Sequence, residues 1–207
     1  MKKSIVLGLV ISAMLIPKAI LAQKKEKKTQ SFTVSAIINA PADKVWKAVG
    51  EDYGAVAYSH PRIVSSEYIN GSLKGGVGAE RVCNFNEKGT KYLREKIAEY
   101  DPEKYTFTNR VYQVGKFPVD PELTFGTYTV EAIDESTSRI TNTINYRTKP
   151  AFMGALAKGS FKKLVREYFI ALEHHVNTGE KVTKDNFKQI KKQYKKNRKD
   201  NIVAAAK

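Results

Sequence analysis

The sequence predicts an α+β domain in which an antiparallel sheet carries one long helix on its concave face. Three observations support this. Six segments after residue 60 alternate like strands and are separated by Gly, Asn, Asp or Pro. After Pro150 the apolar spacing changes from two to three and four. Two short helical stretches stand between the first strand and the rest, and a single long helix is the economical cover for such a sheet.

The elements follow in order. "SFTVSAIINA" (31–40) alternates Phe32, Val34, Ala36 and Ile38 on one face and predicts a strand. "PADKVWKAVG" (41–50) opens with proline, which suits a first helical turn. Val45, Trp46 and Val49 then fall at helical spacing, and Gly50 can stop the helix. "EDYGAVAYSHP" predicts a second short helix or turn, with His60 in the turn. Strands are expected at 63–70, 77–85, 91–100, 104–114, 123–133 and 138–148. Ala157, Ser160, Phe161, Leu164, Val165, Tyr168, Phe169, Leu172 and Val176 form the apolar stripe of the long helix. Lys158, Lys162, Lys163, Arg166 and Glu167 are assigned to its solvent side, and the helix should end between Asn177 and Gly179.

The chain has 207 residues and a formal net charge of +15. Residues 1–22 predict a cleaved Sec signal peptide. Lys2 and Lys3 precede an apolar run from Ser4 to Ile16, Pro17 breaks it, and a cut falls before Gln23. The expected product is periplasmic or secreted. Residues 23–30 form a charged linker, 31–179 the folded domain, and 180–207 a basic tail, helical or disordered. Segment 29–179 carries only +2, whereas the tail carries +7. The domain itself is therefore not a nucleic-acid binder by charge. Phe187, Ile190 and Tyr194 recur at helical spacing among the tail's lysines. That pattern suits an exposed helix, or one that seeks an anionic membrane surface. Cys83 is the only cysteine, which excludes an intrachain disulfide and a CxxC site.

The stretch "VGAERVCNF" puts Val77, Ala79, Arg81, Cys83 and Phe85 on one face, apolar except for a guanidinium. "KYLREKIAEY" puts Leu93, Glu95 and Ile97 on one face, apolar except for a carboxylate. A hairpin through "NEKGT", with Gly89 at positive φ, makes paired numbers sum to 176 and brings Arg81 opposite Glu95. Asn142 lies between Ile140 and Ile144 in phase with Tyr146, and Glu131 shares a phase with Thr127 and Thr129. Inward polar groups of this kind suit a pocket that orients a ligand. The alternative is a solvated face on which Arg81 and Glu95 are an ordinary cross-strand pair.

"INAPADKVWKAVGEDYG", "GSLKGGVGAERVCNF" followed by "YLREKIAEYDPEKYTFT", and the terminal helix after "NYRTKP" resemble the START-like helix-grip superfamily (SRPBCC) in its polyketide cyclase/dehydrase and lipid transport branch. The resemblance covers about residues 31–178. It implies a seven-stranded curved antiparallel sheet around the long C-terminal helix, two short helices after strand 1, and a hydrophobic cavity between sheet and helix. The superfamily's abscisic-acid receptors have a similar Arg strand and Glu strand, matching Arg81 and Glu95. Their gate and latch sequences are absent here, so hormone reception is not supported.

No catalytic or metal signature occurs, and no cofactor is expected. The leading expectation is an exported binding protein for a small hydrophobic ligand. Arg81 and Glu95 would anchor its polar end, with Asn142 beside them. Cys83, Phe85, Ile97 and Phe107 from the sheet would pack the rest, together with Tyr146. Phe161, Leu164, Val165 and Tyr168 would do so from the helix. Two alternatives stand beside it. One is a cyclase/aromatase-like enzyme in which Glu95 acts as base and Arg81 holds an enolate oxygen. The other is an envelope-associated protein acting through its basic tail. Oligomeric state is left open.

Overall fold

The computed structural model describes residues 27–205, with side chains described to residue 198. The predicted signal peptide lies outside the described residues. Seven strands form one antiparallel sheet: β1 (Gln30–Ile38), β2 (Ser65–Tyr68), β3 (Glu80–Asn84), β4 (Tyr92–Asp101), β5 (Thr106–Val114), β6 (Phe125–Ala132) and β7 (Ser138–Tyr146). Their spatial order is β1-β7-β6-β5-β4-β3-β2. Each predicted strand is present, most of them shorter than expected, while β1 starts one residue earlier at Gln30 and β4 ends one residue later at Asp101. Val77 is corrected: it precedes β3 and is 66% exposed, so the buried face begins at Ala79.

Alternation divides the sheet cleanly on β1. Phe32, Val34 and Ile38 turn inward and are buried, while Thr33 and Ser35 turn outward. The outward hydroxyls meet those of Thr143 and Thr141 at 2.9 Å across the β1–β7 pair. Glu131 belongs to the outward set with Thr127 and Thr129; it is exposed and lies 3.6 Å from Arg139. Its expected place on an inward face is thus overturned. Two register shifts curve the sheet: β5 carries an extra residue, Tyr112, opposite Arg94 and Glu95, and β4 carries one, Ala98, between Ile97 and Glu99.

Between β1 and β2 the chain forms α1 (Ala42–Trp46), a wider turn over Lys47–Glu51, a tight turn over Tyr53–Ala55, and α2 (Val56–Ser59). These pieces close one end of the sheet. Trp46 is buried and stacks on Tyr105 at 5.4 Å, with Phe107 at 6.0 Å. A Cβ at Gly50 would lie 2.6 Å from the Trp46 ring, so only glycine lets the turn close over the indole. His60 opens the expected turn, its carbonyl accepting the Ile63 N–H at 3.2 Å, and its side chain is buried. Its ring stacks on Tyr168 at 5.1 Å, and its Nδ1 accepts the Arg62 backbone N–H at 3.1 Å.

The long helix α3 (Met153–Thr178) stops at Gly179, whose φ of +74° supplies the left-handed cap and whose N–H reaches the His175 carbonyl at 2.8 Å. Val165, Tyr168, Phe169, Leu172 and Val176 face the sheet. Glu167 departs from the expected solvent side. It is buried, with Arg62 and Lys191 each 3.0 Å from its carboxylate.

Lys191 belongs to α4 (Phe187–Ala205), and the first turns of α4 are not free. Val182, Phe187 and Ile190 are buried against Ala171 on the outer side of α3, forming a second apolar cluster. Arg198 lies 3.0 Å from Glu173 and also donates to the Ile37 carbonyl, tying α4 to the end of β1. The apolar spacing of the tail therefore serves docking onto α3, and Lys188, Lys192, Lys195 and Lys196 remain exposed.

Replacing Phe187 by Ala removes the largest side chain of that second cluster. It should cost about 3 kcal/mol of unfolding free energy in urea denaturation. A change below about 0.5 kcal/mol would show that α4 does not contribute to the fold.

Candidate functional site

The gap between sheet and helix is packed shut at one end and hollow at the other. At the closed end Phe107 is stacked on Tyr128 at 4.9 Å and flanked by Trp46 and Tyr53. Tyr168 and Ile97 fill the same end. Toward the start of α3 a cavity of about 110 Å³ opens. Phe85, Leu93 and Glu95 line it from β3–β4, Asn109 and Val111 from β5, and Phe117, Val119 and Thr124 from the following loop. Phe125, Gly126 and Tyr128 of β6, Asn142, Ile144 and Tyr146 of β7, and Phe161, Leu164 and Val165 of α3 complete it. An apolar cavity of about 150 Å³ takes up benzene, so this one suits a single small ring or a short alkyl segment.

Tyr146 fixes the helix over the hollow. Its hydroxyl donates to the Gly154 carbonyl at 2.6 Å, and its ring meets Phe161 edge-on at 4.9 Å. Phe85 and Phe117 pack together at 4.9 Å on the opposite flank.

Arg81 and Glu95 pair across β3 and β4 in the expected register. Both are buried. The Nε and Nη2 groups of Arg81 reach Glu95 Oε2 at 2.9 and 2.8 Å. The guanidinium lies 3.7 Å over the Tyr53 ring, and its Nη1 donates to the Tyr53 carbonyl. Arg81 thus points to the closed end and does not line the cavity. Its contacts go to Glu95 and to the turn at Tyr53. Glu95 does line the cavity, but Asn109 Nδ2 occupies its other oxygen at 2.9 Å. Arg81 orients Glu95, and Glu95 orients Asn109.

Cys83 sits beneath Glu95, with its sulfur 3.7 Å from Oε2. Burial pushes its thiol up to about 12, so it stays protonated and inert. Cys83, Ile97, Phe107 and Tyr168 are packed core rather than cavity wall, because α1 and the Tyr53 turn descend onto that end of the sheet. Phe85, Glu95, Asn142, Tyr146, Phe161, Leu164 and Val165 do form the wall. Asn109 was missed by the sequence reasoning, although it lies between Phe107 and Val111 and carries the same signal as Asn142. Phe117, Val119 and Thr124 come from a loop with no periodicity to announce them.

Three buried polar atoms on this wall have no protein partner: Asn109 Oδ1 and both amide atoms of Asn142. Asn142 is fully buried in the middle of β7. Among the described residues no cluster of His, Cys, Asp and Glu could hold a metal, and no helix is long and apolar enough to cross a membrane.

A helix-grip sheet with an apolar cavity under its long helix defines a class of ligand-cavity folds. Residues 29–176 match the family described as polyketide cyclase / dehydrase and lipid transport, and the chain belongs to that family. Among solved structures it resembles Ara h 8.0201, with 22% identity over 73% of this chain and 99% of that one, at a TM-score of 0.58. The Zhui aromatase/cyclase from Streptomyces sp. R1128 is 13% identical over 72% and 94%, with a TM-score of 0.56. Truncated norcoclaurine synthase from Thalictrum flavum is 16% identical over 74% and 96%, with a TM-score of 0.54. At these identities the likeness shows the fold, a Bet v1-like helix grip. No curated protein is detectably similar in sequence.

Two outcomes follow from the charges. Arg81→Met leaves Glu95 buried without its cation and should cost about 3–5 kcal/mol in urea denaturation, most of which the double variant Arg81→Met/Glu95→Leu should restore. An equally unstable double variant would contradict the pairing. His60 is held down to about 3 by burial and by the nearby Arg81 charge, so the folded state keeps it neutral. Its contribution to stability is full above the unfolded value of about 6.5. It is lost as pH falls toward 3, at up to about 1.4 kcal/mol per pH unit. Between pH 6.5 and 5 the stability of His60→Phe should slope less steeply than that of the unaltered protein. Identical slopes would place His60 in water.

Proposed function

We propose that this chain is an exported binding protein for a small, mostly apolar ligand held between β4–β7 and α3. One observation carries the reading: α3 spans, at Phe161–Val165, a hollow walled by Phe, Tyr, Val, Leu and Ile, while the other end of the same gap is filled. A family whose description includes lipid transport supports it. Export rests on the basic n-region, apolar run and cut site of residues 1–23.

A cyclase-type reaction on an extended polyketone fits less well. About 110 Å³ holds one small ring. The carboxylate expected to act as base is engaged by Arg81 on one oxygen and Asn109 on the other. Contact with an anionic membrane surface through the tail rests on the exposed Lys188, Lys192, Lys195 and Lys196, since the apolar side of the first turns of α4 is packed on α3.

Leu164→Trp adds bulk to the half-buried helix side of the cavity. It should abolish saturable binding of phenol and benzene by ligand-observed NMR, while changing stability by less than about 3 kcal/mol. An unaltered protein that takes up neither probe would overturn the binding reading.

A further inference from the structure

We propose that the cavity selects a ring-sized ligand bearing a neutral head that donates a hydrogen bond, a hydroxyl or primary amide, and that it rejects the corresponding carboxylate. This rests on the ligand-binding reading above and names the chemistry of its polar end.

An ionised carboxylate only accepts hydrogen bonds. Asn109 must therefore turn its NH₂ toward Glu95, where Nδ2 lies 2.9 Å from Oε1. The amide cannot be reversed, so Oδ1 is left as a fixed acceptor on the cavity wall, buried and without a protein partner. Asn142 lines the same wall, fully buried, with both its oxygen and its NH₂ unpartnered. Buried polar side chains are normally satisfied, and here an apolar residue of the same size would pack without that cost.

The two amides share one corner. A Cβ built on Gly126 would lie 3.2 Å from Asn109 Oδ1 and 3.4 Å from Asn142 Oδ1. The backbone of Gly126 is not in the left-handed region, so glycine serves here to leave the corner open. A hydroxyl placed there donates to Asn109 Oδ1 and accepts from Asn142 once that amide turns its Nδ2 to the corner, a rotation no protein partner opposes. A primary amide does the same with its two ends. A carboxylate has no proton for Asn109 and would be desolvated against a wall of apolar groups and acceptors without a free cation. Arg81 offers it no free hydrogen-bond donor, because its guanidinium is held by Glu95 and the Tyr53 carbonyl.

The test compares phenol, benzene and benzoate by calorimetry and ligand-observed NMR on the folded chain and on two variants. Phenol should bind at least about tenfold more tightly than benzene or benzoate. Asn142→Leu should weaken phenol about tenfold, leave benzene unchanged or tighter, and unfold at the same or a higher temperature. Gly126→Ala keeps both amides but puts a methyl group in their corner, and it should weaken phenol to a similar degree. Benzene or benzoate binding as tightly as phenol, or phenol binding unaltered in both variants, would overturn the head-group assignment while leaving the cavity reading intact. Binding of none of the three probes would overturn both.

Discussion

The sheet is organised around a charge that has nowhere else to go. A guanidinium cannot shed its proton, so Arg81 on the inner face of β3 must be met by an anion and by hydrogen-bond acceptors. Glu95 on β4 supplies the first, and the Tyr53 carbonyl supplies the second. That pair of contacts joins β3 and β4, near the β2 edge of the sheet, to the turn that closes its end. A slip of β3 by one residue against β4 would send Arg81 to the outer face, leave Glu95 buried without its cation and leave the Tyr53 carbonyl without its donor. The register, the position of the turn and the burial of Phe107 and Trp46 behind it are therefore linked through one ion pair.

The same pair sets the chemistry of the hollow. Glu95 has two oxygens facing different ways. One is neutralised by Arg81, and the other takes the Asn109 amide and fixes its orientation. A cationic group that seals the closed end thus determines, through a carboxylate, which atom of Asn109 is presented to the cavity. Charge is used to orient a neutral group, and the wall that a ligand meets carries amides rather than a free guanidinium.

Much of this was legible from residue spacing. The "NEKGT" turn gave the β3–β4 register, so Arg81 opposite Glu95 followed, and the alternation of β7 put Asn142 inward. Alternation assigns a face but not a direction along it. Whether Arg81 leans toward the hollow or toward Tyr53 depends on a carbonyl 28 residues away in the chain, presented by a turn with no sequence period. For the same reason Phe107 and Tyr168 look identical in pattern to true wall residues such as Tyr146 and Val165. The difference is whether α1 stands above them. Glu167 misled because a glutamate among lysines on a helix reads as solvated; its partners, Arg62 and Lys191, come from a loop and from a tail whose apolar spacing was not matched to any recipient face.

The division of one gap into a filled and an empty half has an energetic logic. The aromatic stack of Trp46, Tyr105, Phe107 and Tyr128, together with Tyr168, Phe169 and Leu172 of α3, concentrates the large side chains at one end. That end, with the α4 clamp behind α3, can hold the helix in place without help from the other. The start of α3 is then free to span a void, anchored there by the Tyr146 hydroxyl on the Gly154 carbonyl. Leaving that void empty forfeits contacts that packing would supply, and Asn142 adds an unmet amide to the deficit. Both deficits shrink when a small ring with a donating head enters, because the apolar wall gains contacts and the amides gain partners. On the proposed reading, the places where the hollow end is short of protein contacts are the ones a bound molecule would satisfy.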